Sequence, residues 1–284
     1  FSMLLVAVAA VLAMACTSGP RFRADTDPQI RALALSVRPA YPDCRFVVFS
    51  DPHLYDLSLG TEGKALEKYL SEDRKLLLES VDLLDAALGR ISTLKADFVL
   101  VPGDLTKDGE RINHVGIAER LRRIEASGKQ VYVVPGNHDI LNPHAVRFVA
   151  EGTQPVDHVT PADFAEIHAE FGYAQAIHRD PASLSYVAEP VAGLWLLALD
   201  SCDYARNLEK KEPMTAGRYT AERLAWIEDM LILAAQGGKA VLAMQHHGAV
   251  EHYPSQLEYY GEYVVQGHRE VSRLLARYGV RAIF

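Results

Sequence analysis

The chain has 284 residues, of which 49% are hydrophobic and 23% are charged, and these ordinary values exclude collagen-like, coiled-coil and disordered proteins. The formal net charge of −8 argues against a nucleic-acid surface, because duplex binding needs clustered lysine and arginine. Three scattered cysteines are too few for a disulfide framework or a zinc ribbon. We therefore expect one large globular domain.

Residues 1–20 are predicted to be a signal peptide or lipoprotein signal. Every residue from Leu4 to Ala15 is apolar, a run too short for a bilayer span, which needs about 20 residues, but typical of a signal-peptide core. The following residues resemble a lipoprotein cleavage box with Cys16 as the acylated residue, although Ala13 stands where leucine is usual. Simple secretion and an uncleaved anchor are the alternatives. The prediction is an exported protein of the cell envelope, attached to the membrane through Cys16 or secreted. Because the sequence does not begin with methionine, it is also predicted to be clipped at this end.

After the signal, residues 21–42 contain three prolines without an apolar period and are predicted to be a tether. The domain then extends over 43–284, with about 141–182 as an insertion of two helices, the second capped at Thr160. Apolar runs predict strands and amphipathic periods predict helices. The predicted strands are 46–49, 98–101, 131–134, 184–187, 194–199, 240–244 and 280–284, and the main predicted helices are 64–91, 112–127, 221–236 and 268–277.

Four of these strands are each followed directly by a polar cluster. In open α/β sheets ligands bind beyond the carboxyl ends of the strands, so the clusters are expected to meet at one edge. Aspartate, asparagine and histidine are ligands of divalent metals. Any one cluster alone is more often structural, but four in series indicate a metal site. The clusters are Asp51-Pro52-His53, Gly103-Asp104, Gly136-Asn137-His138-Asp139 and His246-His247.

This series resembles the first four motifs of the calcineurin-like metallophosphoesterase superfamily, over residues 45–284. The resemblance implies an α/β fold in which two mixed β-sheets are flanked by helices, a four-layer α/β/β/α sandwich. It also implies two divalent or mixed-valence metal ions, of iron, manganese or zinc, at the edge of the sheets.

Five metal ligands follow from the resemblance. Asp51 and His53 would bind the first metal, Asp104 would bridge both, and Asn137 and His246 would bind the second. His247 is the alternative to His246.

The remaining histidine of the third motif, His138, would not be a ligand. In the family this histidine faces the substrate, as a general acid or a phosphate contact. Histidine suits proton donation near neutral pH because its ordinary pKa is about 6.5.

The family's closing Gly-His-x-His motif, which gives one more histidine to each metal, is absent from the sequence. Since this motif would follow a strand such as Val280–Phe284, the chain is predicted to be truncated and its fold incomplete at the carboxyl end. A fragment of this kind would bind metal weakly and have little activity.

The implied function is metal-dependent hydrolysis of a small phosphorylated substrate, a phosphomonoester or phosphodiester, by a hydroxide that bridges the two metals. One alternative is a nucleotide or lipid-headgroup phosphodiesterase. The other is a surface-binding lipoprotein that keeps this scaffold without catalysis.

Overall fold

The computed structural model describes residues 22–284. The predicted signal segment, with the predicted acylation site at Cys16, lies outside this range. Within it, no helix combines the length and apolarity that a membrane span requires.

Helices are interspersed with strands along the described chain. The helices are α1 (Arg23–Thr26), α2 (Pro28–Ser36), α3 (Lys64–Glu72), α4 (Ser80–Thr93), α5 (Arg111–Glu125), α6 (Pro161–Ile167), α7 (Asn207–Lys210), α8 (Ala221–Gln236), α9 (Gln256–Tyr259) and α10 (His268–Arg277). The strands are β1 (Phe46–Val48), β2 (Phe98–Pro102), β3 (Gln130–Val134), β4 (Val146–Val149), β5 (Gly152–Pro155), β6 (His178–Arg179), β7 (Tyr186–Val191), β8 (Leu194–Leu199) and β9 (Ala240–Gln245).

The strands form two main sheets. The first has the order β1-β2-β3 and is parallel, with Val48 paired to Leu100. The second has the order β6-β7-β8-β9, antiparallel as far as β8 and parallel between β8 and β9. Residues 282–284 add to its β9 edge, where the backbone N–H of Gln245 donates to the carbonyl oxygen of Phe284 at 2.8 Å.

Side chains alternate between the two faces of the second sheet, as the period of a strand requires. Leu196 and Ala198 of β8 belong to a core shared with β2, β3, α4 and α5, whereas Trp195 and Leu197 pack with α2, α8 and α10. The layers are therefore helices, sheet, sheet and helices. This confirms the predicted fold class, except that the first sheet is parallel rather than mixed.

The tether predicted over residues 21–42 is wrong for most of its length, because α1 and α2 are packed helices. Asp27 caps α2, its side chain accepting from the backbone N–H groups of Gln29 and Ile30, and Pro28 occupies the first helical position. The buried side chains of Ile30 and Ala34 pack into the core formed with α8. The Asp-Pro helix-start signal is present in the sequence. The apolar pattern after it is too short to predict a helix by periodicity.

The single helix predicted over 64–91 is two helices. Residues 73–79 separate α3 from α4, and the side chain of Asp73 accepts the backbone N–H of Lys75 at 3.0 Å. Local bonds of this kind offer the backbone an alternative to the helix. Leu77 in this break is buried in a small cluster with Tyr55 and Leu66. It fitted the apolar period of one continuous helix, but in the structure it anchors a loop.

The insertion predicted at 141–182 contains one of its two expected helices. The second is confirmed as α6, with Thr160 and Asp163 forming the capping box. In place of the first, β4 and β5 form an antiparallel hairpin.

Candidate metal centre

The predicted site residues meet at the carboxyl ends of four strands. Asp51 and His53 follow β1, Asp104 follows β2, Asn137 and His138 follow β3, and His246 follows β9. All six line one cavity of ≈ 450 Å³. The two sheets thus bring together the five predicted ligands and His138.

The backbone is strained where it presents these side chains. Asp51, His53 and Asp104 have φ values of 57°, 41° and 50°, in a left-handed region that is unfavourable for residues other than glycine. The backbone N–H of His53 donates to the carbonyl oxygen of Asp104 at 3.1 Å, which ties two of the strained turns together. Gly136 lies against Asp104 so closely that a Cβ atom would overlap it. Strain of this kind is typical of functional sites.

Asp104 is the centre of the cluster and is buried. Its Oδ1 lies 3.5 Å from His246 Nε2, while its Oδ2 lies 3.6 Å from His53 Nε2. Burial acts to raise the pKa of Asp104, but the neighbouring imidazoles outweigh it, His246 most, and the pKa is below the usual aspartate value. An ionised carboxylate therefore presents one oxygen to each of two histidines.

The donor set fits two adjacent metal ions. Asp51, Asp104 and His246 bring their ligand atoms within 4.8 Å of one another, and so do His53, Asp104 and His138. Asp104 belongs to both groups, as a bridging ligand would. Carboxylate oxygens and imidazole nitrogens together suit divalent transition ions.

Asn137 belongs to the His246 side of the cluster. Its Oδ1 is 3.0 Å from His246 Nε2. Asp51 contacts both sides, with Oδ1 at 3.8 Å from His53 Nε2. The structure thus brings the five predicted ligands together, and the assignment of Asp51 to the His53 metal stays a prediction.

His138 is held by a carboxylate that the sequence analysis missed. Its Nδ1 lies 2.9 Å from Asp108 Oδ1, and its Nε2 lies 3.9 Å from Asp104 Oδ2. Burial acts to raise the pKa of Asp108, but its hydrogen bond with His138 and the charge of Lys107 hold it at about 2. The same hydrogen bond overcomes burial and raises the pKa of His138. Asp108 thus fixes the ring with Nε2 toward the metal ligands.

His246 and His247 have different surroundings, although they are adjacent. His247 Nδ1 is 2.8 Å from Ser201 Oγ, and its Nε2 is 2.7 Å from the carbonyl oxygen of Thr215. Burial, together with the charge of His246, lowers the pKa of His247 to about 4. Both nitrogens of His247 contact groups outside the cluster, whereas His246 Nε2 faces the ligand candidates Asn137 and Asp104, so the geometry favours His246 as the ligand.

Lys75 is a second residue that sequence reasoning missed. It lies in the break between α3 and α4 and lines the same cavity as the metal-ligand candidates. The signal that could have located it is Asp73, a turn-favouring residue inside the apparent helix.

Comparisons with known proteins bear on the fold and on the family. No curated protein matches the chain. Among solved structures, a dimetal phosphatase from Danio rerio aligns at 15% identity and a TM-score of 0.53, covering 84% of this chain and 78% of that one. The purple acid phosphatase PPD1 from yellow lupin (Lupinus luteus) seeds aligns at 14% identity and a TM-score of 0.46, covering 87% of this chain and 38% of that one.

At these identities the structural likeness shows the fold alone, and the family is shown by a sequence model. The calcineurin-like phosphoesterase model matches residues 44–284, which include every residue of the cluster described above. The chain therefore belongs to the calcineurin-like phosphoesterase family, whose activity is the metal-dependent hydrolysis of phosphate esters.

Proposed function

We propose that this protein hydrolyses small phosphate esters outside the cytoplasm, at a centre of two metal ions organised on Asp104. One observation supports it most: the two carboxylate oxygens of this buried residue face different histidines, His246 at 3.5 Å and His53 at 3.6 Å. A carboxylate that serves two ions would present its oxygens in this way.

The ligand assignment follows the family resemblance. Asp51 and His53 would hold one ion, Asn137 and His246 would hold the other, and Asp104 would serve both. When bound, the ions neutralise phosphate charge and acidify a water molecule for attack on phosphorus. The neutral amide of Asn137 keeps the centre positive, so that it attracts an anionic substrate to an acidic protein.

His138 is proposed to donate a proton to the departing alkoxide. Its Nδ1 is engaged by Asp108, which leaves Nε2 as the nitrogen that faces the cavity. The hydrogen bond to Asp108 raises the pKa of His138 and so favours the protonated ring that a general acid requires.

Hydrolysis of aryl phosphates by the metal-saturated protein, expressed from the complete gene, tests the proposal. We expect turnover that a chelator abolishes and that added Mn²⁺ or Zn²⁺ restores. Asp104→Asn should remove it, because an amide offers one oxygen where the centre requires two. Asp82→Asn, at an exposed position on α4, is the matched control and should keep full activity. Equal activity in the two variants would contradict the assignment.

A further inference from the structure

A second cavity opens directly beside the metal centre. It has a volume of ≈ 360 Å³ and lies between the end of β1, the break before α4 and the first turns of α4. It shares Asp51, His53 and Lys75 with the cavity that contains the metal-ligand candidates. A molecule whose phosphate group lies at the centre can therefore extend into this space, whose volume is typical of small-ligand sites.

The walls of this second cavity are mostly apolar. Leu84 is buried, whereas Leu76 and Leu83 are 63% and 52% exposed. Phe49 and Ala87 complete the apolar lining. A cavity lined by apolar side chains next to a few polar groups is typical of a ligand-binding site.

Lys75 stands where the two cavities meet. Its Nζ lies 3.3 Å from Asp73 Oδ2, and its side chain is largely buried. Its side chain lines both cavities, together with Asp51 and His53. An ammonium group at this point can bind a phosphate oxygen as a point charge.

We propose that this second cavity, called here the ester subsite, binds an apolar alkyl or aryl group of the substrate, while Lys75 binds an oxygen of its phosphate. The substrate class is then phosphate esters of apolar alcohols or phenols. The inference rests on the proposed function of the neighbouring centre.

Alkyl phosphates from methyl to hexyl test the ester subsite, because the leaving alcohols differ little in acidity while their apolar length grows. For the metal-saturated protein we expect kcat/KM to rise about two- to fourfold for each methylene that enters the cavity. Leu83→Glu, a change at an exposed position, should flatten this rise. Leu233→Glu, at an exposed position on α8, is the matched control and should preserve it.

Lys75 is tested separately with the same series. Lys75→Met should raise KM for every member by about 10- to 100-fold, the range for a lost bond to a charged group, and leave the dependence on chain length intact. Lys75→Arg should recover part of the loss, and Lys68→Met, at an exposed position on α3, should have no effect.

Alkyl phosphonates have no ester bond to hydrolyse. Their binding therefore tests the ester subsite separately from the proposed hydrolytic function. Calorimetry should show hexylphosphonate binding more tightly than methylphosphonate to the wild type and equally to Leu83→Glu. If this pattern holds without any hydrolysis, the ester subsite stands and the proposed function is wrong. The ester subsite is overturned if neither hydrolysis nor binding depends on the alkyl chain length. It is also overturned if Leu83→Glu keeps the same dependence on chain length as the wild type. An unchanged KM in Lys75→Met overturns the role of Lys75.

Discussion

Substitutions at His138 and Asp108 should impair catalysis without loss of metal binding. His138→Ala should lower kcat by about 10²- to 10⁴-fold, the usual contribution of a positioned acid, and leave metal content unchanged. The loss should be smaller for aryl esters, whose leaving groups need no proton. Steady-state kinetics with aryl and alkyl phosphates, together with metal analysis, checks both parts. Loss of a metal ion from the variant would make His138 a ligand, which its place beside His53 and Asp104 also permits.

Asp108 acts on catalysis through His138, and its replacement should show this in the pH profile. Because the hydrogen bond to Asp108 raises the pKa of His138, Asp108→Asn should lower that pKa. The rate limb that requires protonated His138 should then move to lower pH, with KM little changed. An unshifted limb, measured between pH 5 and 9, would contradict the positioning role.

At the same scale, sequence motifs located the predicted ligands but neither Asp108 nor Lys75. The ligands follow strands, whose carboxyl ends converge by geometry alone. Asp108 lies four residues beyond Asp104 in a loop, and its contact with His138 depends on the path of that loop. Lys75 required knowledge of the break between α3 and α4.

Among the secondary-structure elements, α2 allows a direct test of whether residues 22–36 pack on the domain or form a tether. Ile30 is buried against the α8 core, whereas Leu35 of the same helix is 70% exposed. Ile30→Ala should lower the free energy of unfolding by about 2–4 kcal/mol, and Leu35→Ala by less than about 0.5 kcal/mol. Equal, small effects in urea unfolding would indicate that residues 22–36 are a tether after all. The α2 cap could be identified from the sequence, but its packing on α8, some 200 residues away, could not.

A buried histidine pair connects α5 to the end of α6. His114 Nδ1 and His168 Nε2 are 3.1 Å apart, and burial lowers the pKa of both, that of His168 well below the usual value. Below about pH 6.5 the unfolded chain therefore binds protons that the folded chain excludes. Stability should be fully present above that pH and fall beneath it, by up to about 1.4 kcal/mol per pH unit for each histidine. Urea unfolding at pH 7.5 and 5.5 should show a smaller difference in His168→Gln, and equal differences would exclude this pair as the cause.

For the whole molecule, the order of the main strands and helices and the convergence of the motifs were predictable, because apolar periods and strand ends determine them, whereas the two-sheet sandwich was implied by the family resemblance. Local departures were not. The hairpin β4–β5 replaces a predicted helix, and side-chain bonds such as that of Asp73 end a helix that apolar periodicity would continue. Such features depend on single contacts rather than on a repeating pattern.

The account as a whole rests on a centre of two metal ions organised by one shared carboxylate. Elemental analysis of the metal-saturated protein after removal of unbound ions tests this most directly. We predict about two transition-metal ions per chain in the wild-type product of the complete gene and fewer than one in its Asp104→Asn variant, with Asp82→Asn equal to the wild type. A wild-type content near zero, or a content that Asp104→Asn leaves unchanged, would contradict the central claim.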